Sequence, residues 1–361
     1  MPVTAAAAVT GPGVVLRDLS IAYRSGGEEL AAVAGVNLDL AAGSITGLVG
    51  ESGSGKSTLA LALLGAVQQP GRVTEGSITI EGIGNVVGMP RKEIRAVRGA
   101  KIGYVFQAAQ NSLNPLKTIG KQLLDLARSH DVDDKPALVR QAAALLERMG
   151  LDSKRVLDAY QHELSGGMRQ RVGIMFALVL NAHVLVLDEP TTALDMISQA
   201  NILQIIRDVH TERGLTTLVV THDIGVVAEV ADRIAVMYGG RLVEQGGTVD
   251  VLRAPRHPYT RALLAAMPRL HGDPAGAQAL PGRPPTLGTI LAQGCVFRER
   301  CAVFAKLTLP ACIDTEPPLI AGADGRLVAC HAVADDEYGD TEVRAAAADL
   351  AAAAPEEGVA R

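Results

Sequence analysis

The 361-residue chain contains no tryptophan, and aromatic residues make up only 3% of it. Proteins that grip single-stranded nucleic acid stack bases on aromatic rings, and this chain has little from which to build such a surface. A basic balance is missing too. The formal net charge is -5 and the sequence pI is near 5.9, which argues against a general nucleic-acid binder. No apolar run reaches the ~20 residues of a membrane-spanning helix. The most apolar stretch, "VGIMFALVLNAHVLVL" from Val172 to Leu187, is interrupted by Asn181 and His183. The opening "MPVTAAAAVTGPG" lacks the basic-then-apolar order of a secretory leader. The expectation is a cytoplasmic protein that reaches a membrane only by docking onto other subunits. Cysteine is absent before Cys295.

What is present reads as globular. Hydrophobic residues make up 48% of the chain and charged residues 20%, and the length suits one large or two modest domains. Residues 1–13 are Ala/Gly/Pro-rich and expected to be flexible. From Val14, short β-branched runs alternate with helical patterns, as in an α/β domain. "SITGLVG" reads as a buried strand and "KSTLALALLGAV" as the helix after it. "HVLVLD" and "TTLVVTH" read as further buried strands, and "RIAVMYGGRLVEQG" as a hairpin turning at Gly239-Gly240. Between about 108 and 165 the pattern turns helical. Leu138, Ala142, Leu145, Leu146 and Met149 fall on one helical face, with Pro136 in the first turn and Gly150 just past the end. Beyond about residue 268, "HGDPAGAQALPGRPPTLG" reads as a linker or extended arm. The arm, taken as 269–340, holds every cysteine, and 341–361 is a tail of alanine and acid with no assigned role. No internal repeat is visible.

Two stretches are shaped for anions. "GESGSGKST", Gly50 to Thr58, fits G-x-x-x-x-G-K-[ST] with a strand before and a helix after. Glycines let backbone N–H groups curl around phosphate oxygens, Lys56 reaches the terminal phosphates and Ser57 offers a hydroxyl to Mg²⁺. A glycine-rich turn with a solvated lysine is the plain alternative. "VLVLDEP" then ends an apolar strand on Asp188, a Mg²⁺ ligand directly or through water, and Glu189, a general base for the attacking water. The alternative there is an acidic pair capping the next helix. "VVTHD" puts His222 at another strand end, within reach of a γ-phosphate. "YVFQ" ends a strand on Gln107, where an amide can touch Mg²⁺ or water. The second anion-shaped stretch is "ELSGGMRQRV", Glu163 to Val172. Its serine, two unhindered glycine amides and following helix would form an anion site.

In this order the motifs resemble the ABC transporter ATPase family over roughly residues 14–270. The match comprises "GESGSGKST", Gln107, "LSGGM", "VLVLDEP", "TTALD" and His222. The resemblance implies a P-loop ABC-type ATPase domain with an antiparallel β subdomain and a helical insert, plus a small Cys-containing C-terminal extension. It implies that Gly50, Ser52, Gly53, Gly55, Lys56, Ser57 and Thr58 bind ATP and that Tyr23 stacks on adenine. Ser57, Gln107 and Asp188 would hold Mg²⁺, and Gln107, Glu189 and His222 would serve hydrolysis. It also explains the second glycine stretch. Cassettes of this family pair head to tail, so Ser165, Gly166, Gly167 and Met168 would grip ATP bound by a partner chain, with Asp195 across the same interface. Within the family the text is similar to peptide/nickel importers, through "SLNP", "ELSGGMRQR", "EPTTALD", "THDIGVVAEVADRIAVMYGGRLVE", "HPYTRALL", "LPGRPPTL" and "GCVFRERC". "AAQ" at 108–110 departs from that branch, which more often has an acid and a proline there.

The cysteines are spaced C-x5-C-x10-C-x17-C: Cys295, Cys301, Cys312 and Cys330. Reducing compartments rarely keep disulfides, and Cys₄ suits Zn²⁺ or an Fe–S cluster; plain reduced thiols are the third possibility. The family resemblance tips the choice toward [4Fe–4S], with His331 a possible substitute ligand. The whole implies an ATP-hydrolysing subunit of an importer for di- or oligopeptides, or alternatively for nickel or glutathione. Its partners would be a second, different ATPase chain, two transmembrane permease subunits and an extracytoplasmic solute-binding protein, with no nucleic acid. A DNA-repair-type ABC ATPase would need long insertions between the motifs, which are missing. A non-catalytic ATP switch would not need Glu189 and His222.

Overall fold

From Val14 the alternation of apolar and polar residues folds as β1 (Val14–Ser25), paired antiparallel with β2 (Glu28–Leu40). The computed structural model describes residues 10–107, 112–267, 280–290 and 293–334. β3 (Ile45–Val49) and α1 (Lys56–Leu63) come next, then β4 (Gly71–Ile80) and the short β5 (Gly84–Asn85). β4 pairs with the other edge of β1, giving an antiparallel sheet in the order β2-β1-β4-β5. Its buried face, including Leu16, Ile21, Val33 and Ile78, packs into one core with Leu59 and Leu63 of α1.

α2 (Arg91–Val97) and β6 (Ile102–Val105) lead into three helices, α3 (Ile119–Ser129), α4 (Lys135–Arg148) and α5 (Ser153–Asp158). Each begins at a side chain that accepts a free backbone N–H: Thr118, Asp134 and Asp152. The face of α4 anticipated from its spacing is the buried one, with Leu138, Ala142, Leu145, Leu146 and then Met149 in the core. Pro136 lies in its first turn and Gly150 stands just past its end at φ +71.

The rest of the main sheet follows: α6 (Gly166–Leu178), β7 (Val184–Asp188), α7 (Met196–Arg213), β8 (Thr216–Thr221), α8 (Ile224–Val230), β9 (Arg233–Tyr238) and β10 (Arg241–Gly247). β3, β7 and β8 are buried at every residue, as parallel strands covered on both faces must be. They run parallel beside β6 and β9, in the order β9-β3-β8-β7-β6. β9 and β10 form the anticipated hairpin through Gly239-Gly240.

After α9 (Thr248–Arg253) and α10 (Pro258–Ala265), the cysteine-bearing stretch forms α11 (Ala302–Leu307), α12 (Ala311–Asp314), β11 (Ile320–Ala321), β12 (Leu327–Val328) and α13 (His331–Ala334). It does not stand apart from the cassette. β12 pairs antiparallel with β10 and β11 with β12, so the main sheet gains two strands and reaches eight. A third core, with Tyr238, Tyr259, Phe297 and Val303 at its centre, joins this stretch to β9 and α10. Residues 1–9, the "AAQ" departure at 108–110, the first half of the proline-rich linker (271–279) and the Ala-rich tail lie outside the described residues. Among the described residues no helix is long and apolar enough to cross a membrane.

Candidate nucleotide site

The loop between β3 and α1 curls around its own lysine. Lys56 Nζ donates to the carbonyls of Gly50 and Glu51, each at 2.8 Å, and to Ser54 Oγ at 3.3 Å. Lys56 is only 6% exposed. Burial pushes its pKa below the ordinary lysine value, opposed by the negative charges of Glu189, Asp188 and Glu51. The curl needs glycine. A Cβ at Gly50 (φ +155) would come within 2.1 Å of the Met237 carbonyl, and one at Gly55 (φ +100) within 2.4 Å of the Ala32 carbonyl. Gly55 is also the N-cap of α1 and offers no side-chain cap. The first N–H groups of that helix therefore face the loop without a side-chain acceptor, an arrangement suited to an anion. Ser52 and Gly53 are exposed on the loop, and Thr58 lies in the first turn of α1.

Opposite the lysine lies the end of β7. Asp188 Oδ1 accepts from Ser57 Oγ at 3.0 Å and Oδ2 from the Tyr104 hydroxyl at 3.0 Å. Burial raises the Asp188 pKa, and those two hydrogen bonds pull against it. Glu189 is the meeting point of the site. Its Oε1 lies 2.9 Å from His222 Nδ1, while Oε2 accepts from Gln107 Nε2 at 3.1 Å and from Thr192 Oγ1 at 2.8 Å. Burial raises its pKa, yet the hydrogen bonds from His222 and Thr192, with the charges of His222 and Lys56, outweigh it and hold the carboxyl below the ordinary glutamate value. Its backbone sits at φ +50, a strained conformation for a side-chain-bearing residue and one concentrated at functional sites.

Gln107, Asp188, Glu189 and His222 are thus brought together with Lys56 and Ser57. Tyr104 and Thr192 are also part of the site. Tyr104 was visible only as the first letter of "YVFQ", and Thr192 only inside "EPTTALD".

The second anion-shaped stretch is elsewhere. Ser165 is exposed and caps α6 by accepting from Met168 N at 3.3 Å. Gly166 and Gly167 form the first turn, and Met168 packs partly into the core. Asp195 caps α7 through Ser198, whose N donates to it at 2.9 Å and whose Oγ donates at 2.7 Å. A Cβ on Gly167 would lie 3.4 Å from Ser198 Oγ, so the small residue lets the two helix starts approach. Tyr23 is half-buried, its ring over Gly71 of β4.

The cysteines converge, but the described geometry holds no single metal ion. All four line one small cavity with Phe297, Phe304 and Leu309. Burial raises all four thiol pKa values, and repulsion from neighbouring cysteines adds to it at Cys301, Cys312 and Cys330, which are pushed up to about 12. Among the described residues no group of three His, Cys, Asp or Glu side chains could hold a metal ion. Cys301 Sγ also caps α11, accepting from Phe304 N at 3.4 Å. The candidate substitute His331 is engaged by the Thr315 carbonyl at 3.0 Å. Neither the zinc nor the iron–sulfur expectation gains a metal-holding group among the described residues.

A phosphate loop whose lysine and serine face an Asp-Glu strand end, with a glutamine and a histidine closing on the glutamate, defines an ATPase of the ATP-binding cassette class. The comparisons agree. Residues 33–192 match the family model "ABC transporter", and residues 243–306 match "Oligopeptide/dipeptide transporter, C-terminal region". The chain is 41% identical over 319 residues to the oligopeptide transport ATP-binding protein OppD of Bacillus subtilis, covering 87% of each. It is 38% identical over 316 residues to OppD of Salmonella typhimurium, covering 87% of this chain and 92% of that one. Among solved structures, a dimeric ATP-binding cassette in a post-hydrolysis state with ADP and Pi matches with TM-score 0.57 and 30% identity, over 65% of this chain and 98% of that one. The chain belongs to the ABC transporter family of ATP-binding subunits, and it is an ATP-hydrolysing transporter subunit.

Proposed function

We propose that this subunit powers an importer of di- or oligopeptides from the cytoplasmic side of a membrane, working with a second ATPase chain, two permease subunits and a solute-binding protein. One observation carries the chemistry: Glu189, whose carboxylate accepts from Thr192 and Gln107 and meets His222 beside the Ser57–Asp188 pair, is despite burial kept below the ordinary glutamate pKa by His222, Thr192 and Lys56. The C-terminal match supports the peptide class over nickel or glutathione.

Ser57 and Asp188 present hard oxygen donors 3.0 Å apart, with the Gln107 amide nearby, a donor set that fits Mg²⁺. Bound there with ATP, the ion supplies charge neutralisation for phosphoryl transfer. Lys56 holds the terminal phosphates, for which it gives up its own loop carbonyls. Glu189 takes a proton from the attacking water, and His222 fixes the carboxylate that receives it. Tyr104 and Ser57 orient Asp188. Gln107 follows β6 and faces Glu189, so a change at the phosphates reaches the neighbouring surface through it.

That surface is a groove of about 490 Å³ lined by Tyr104, Phe106, Leu113, Lys117, Leu126 and Phe176. Phe106 at 46% and Leu116 at 85% are exposed large apolar residues, of the kind that marks a partner surface. A permease segment docked here would rest on Phe106, the residue next to Gln107. Phe106→Asp is expected to leave ATP binding by the purified chain unchanged and to lower peptide uptake about ten-fold, the usual scale of coupling between sites. Transport measured in reconstituted vesicles checks it, and unimpaired uptake removes the groove as the dock.

The finer reading of the cysteine segment, a [4Fe–4S] cluster on Cys295, Cys301, Cys312 and Cys330, belongs to the same proposal. Its support is that four thiols and no acid line one cavity, a soft donor set. No step of hydrolysis runs through it. Iron and acid-labile sulfide are expected in anaerobically purified chain and are lost in Cys312→Ser; iron-free wild type leaves four reduced thiols.

A further inference from the structure

Glu51 is an awkward residue for a phosphate loop. Glu51 belongs to the same loop as Lys56, whose charge it acts on, and an unpaired negative charge there opposes a bound triphosphate. The structure answers that charge from 249 positions away. Arg300, between Cys295 and Cys301, lays its guanidinium on the Glu51 carboxylate, with Nη1 to Oε2 at 2.6 Å and Nη2 to Oε1 at 3.1 Å. This is the two-pronged pairing that guanidinium and carboxylate geometry favours. The arginine is itself locked: Nε donates to the Pro281 carbonyl at 2.7 Å, Nη1 to the Tyr238 hydroxyl at 3.3 Å, and its side chain is only 7% exposed.

A second contact holds the same residue. The Glu51 N–H donates to the Tyr259 hydroxyl at 2.9 Å. Tyr259 is fixed by the start of α10, where buried Glu244 accepts from the N–H groups of Arg256 and His257 and His257 Nδ1 accepts from Tyr259 N. Tyr238, Tyr259 and Phe297 pack ring against ring within 4.6 to 5.3 Å. The Glu51 carbonyl, between these two grips, is one of the acceptors of Lys56 Nζ. The lysine that must reach ATP is therefore seated on a residue held from the C-terminal segment.

We propose that Arg300 is a positioning residue for ATP. By neutralising and orienting Glu51 it keeps the phosphate loop receptive, and it makes ATP affinity depend on the seating of the cysteine-bearing segment. This rests on the ATP site described above and adds to it a control element supplied by the C-terminal stretch.

The test is a titration of full-length chain with Mg-ATP and a fluorescent ATP analogue, beside ATPase kinetics of the assembled transporter. Arg300→Met is expected to weaken ATP binding and raise KM about ten-fold, within the range of measured coupling effects, with kcat at saturation within about two-fold. Removing the charge that Arg300 answers should undo this, so Glu51→Gln combined with Arg300→Met is expected to bind within about three-fold of wild type. A purely structural arginine would not be rescued in that way. Arg300→Lys, which keeps the charge but loses the fork, should fall between, and together with the double variant it reads the idea should Arg300→Met fail to fold. Wild-type affinity in Arg300→Met, or a double variant as weak as the single one, overturns the proposal. Failure of the wild-type chain itself to bind ATP instead sinks the ATP reading on which it stands.

Discussion

Replacing Glu189 by Gln is expected to lower the ATPase kcat about a thousand-fold, the middle of the range for losing a general base, while ATP binding persists or tightens. The substitution is nearly isosteric, so the site should keep its shape. One amide oxygen can still accept from Gln107 and Thr192, and the amide nitrogen can donate to His222 Nδ1, the three atoms that hold the carboxylate now. What disappears is the proton acceptor and one negative charge. Losing that charge beside the lysine pocket removes repulsion toward a triphosphate, which is why affinity should not fall. The pH profile carries the same signature. The Glu189 pKa is depressed, so the carboxylate stays ionised, and hydrolysis continues, below the ordinary glutamate range. Activity declines only as the pH falls through that lowered value. A phosphate-release assay on wild type and variant checks both points. Near-normal turnover in Glu189→Gln would remove this residue as the base.

The residues of this centre differ in how visible they are before folding. Lys56, Ser57, Asp188 and Glu189 stand in short motifs at the ends of apolar runs, because the chemistry needs them at the carboxyl edges of parallel strands, where linear spacing is tightly constrained. The parallel strands themselves were legible for a related reason: burial on both faces demands uninterrupted apolar runs. Tyr104 was not legible as a ligand to Asp188. Its partner is 84 positions away, and a tyrosine in a strand reads as packing. Arg300 and Glu51 were less legible still, because nothing local links a loop glutamate to an arginine in a cysteine-rich arm. The arm shows how far spacing reaches. Four cysteines with no others in the chain suggested a shared ligand, and all four line one cavity, but spacing alone does not say which ligand they share. Its two short strands escaped notice because a two-residue strand carries no periodicity to detect.

The second large effect should appear in a residue far from Lys56. Ser165→Arg is expected to leave ATP binding by the isolated chain unchanged and to abolish hydrolysis by the assembled transporter, by about a hundred-fold or more, the scale of losing one preorganised donor to a developing charge. The reasoning starts from exposure. Ser165 is exposed and caps a 13-residue helix, its hydroxyl turned to the helix's own first turn, and the anion-suited end of α6 lies away from the Lys56 site. Close by, Asp195 is tied to Ser198, which faces Gly167, and the next two residues, Met196 and Ile197, are 84% and 77% exposed. An exposed helix start beside a bare apolar pair is what a subunit boundary looks like before its partner arrives. A partner cassette seated there would cover Met196 and Ile197 and bring its own bound triphosphate to Ser165. Arginine at that position keeps the helix but fills the approach with a long side chain and removes the capping hydroxyl. The discriminating comparison is therefore between chain and assembly. Loss of turnover with intact binding places Ser165 across the boundary. Weakened ATP binding in the isolated variant would instead assign the serine to the site of its own chain, and undiminished turnover in the assembly would deny it any part in hydrolysis.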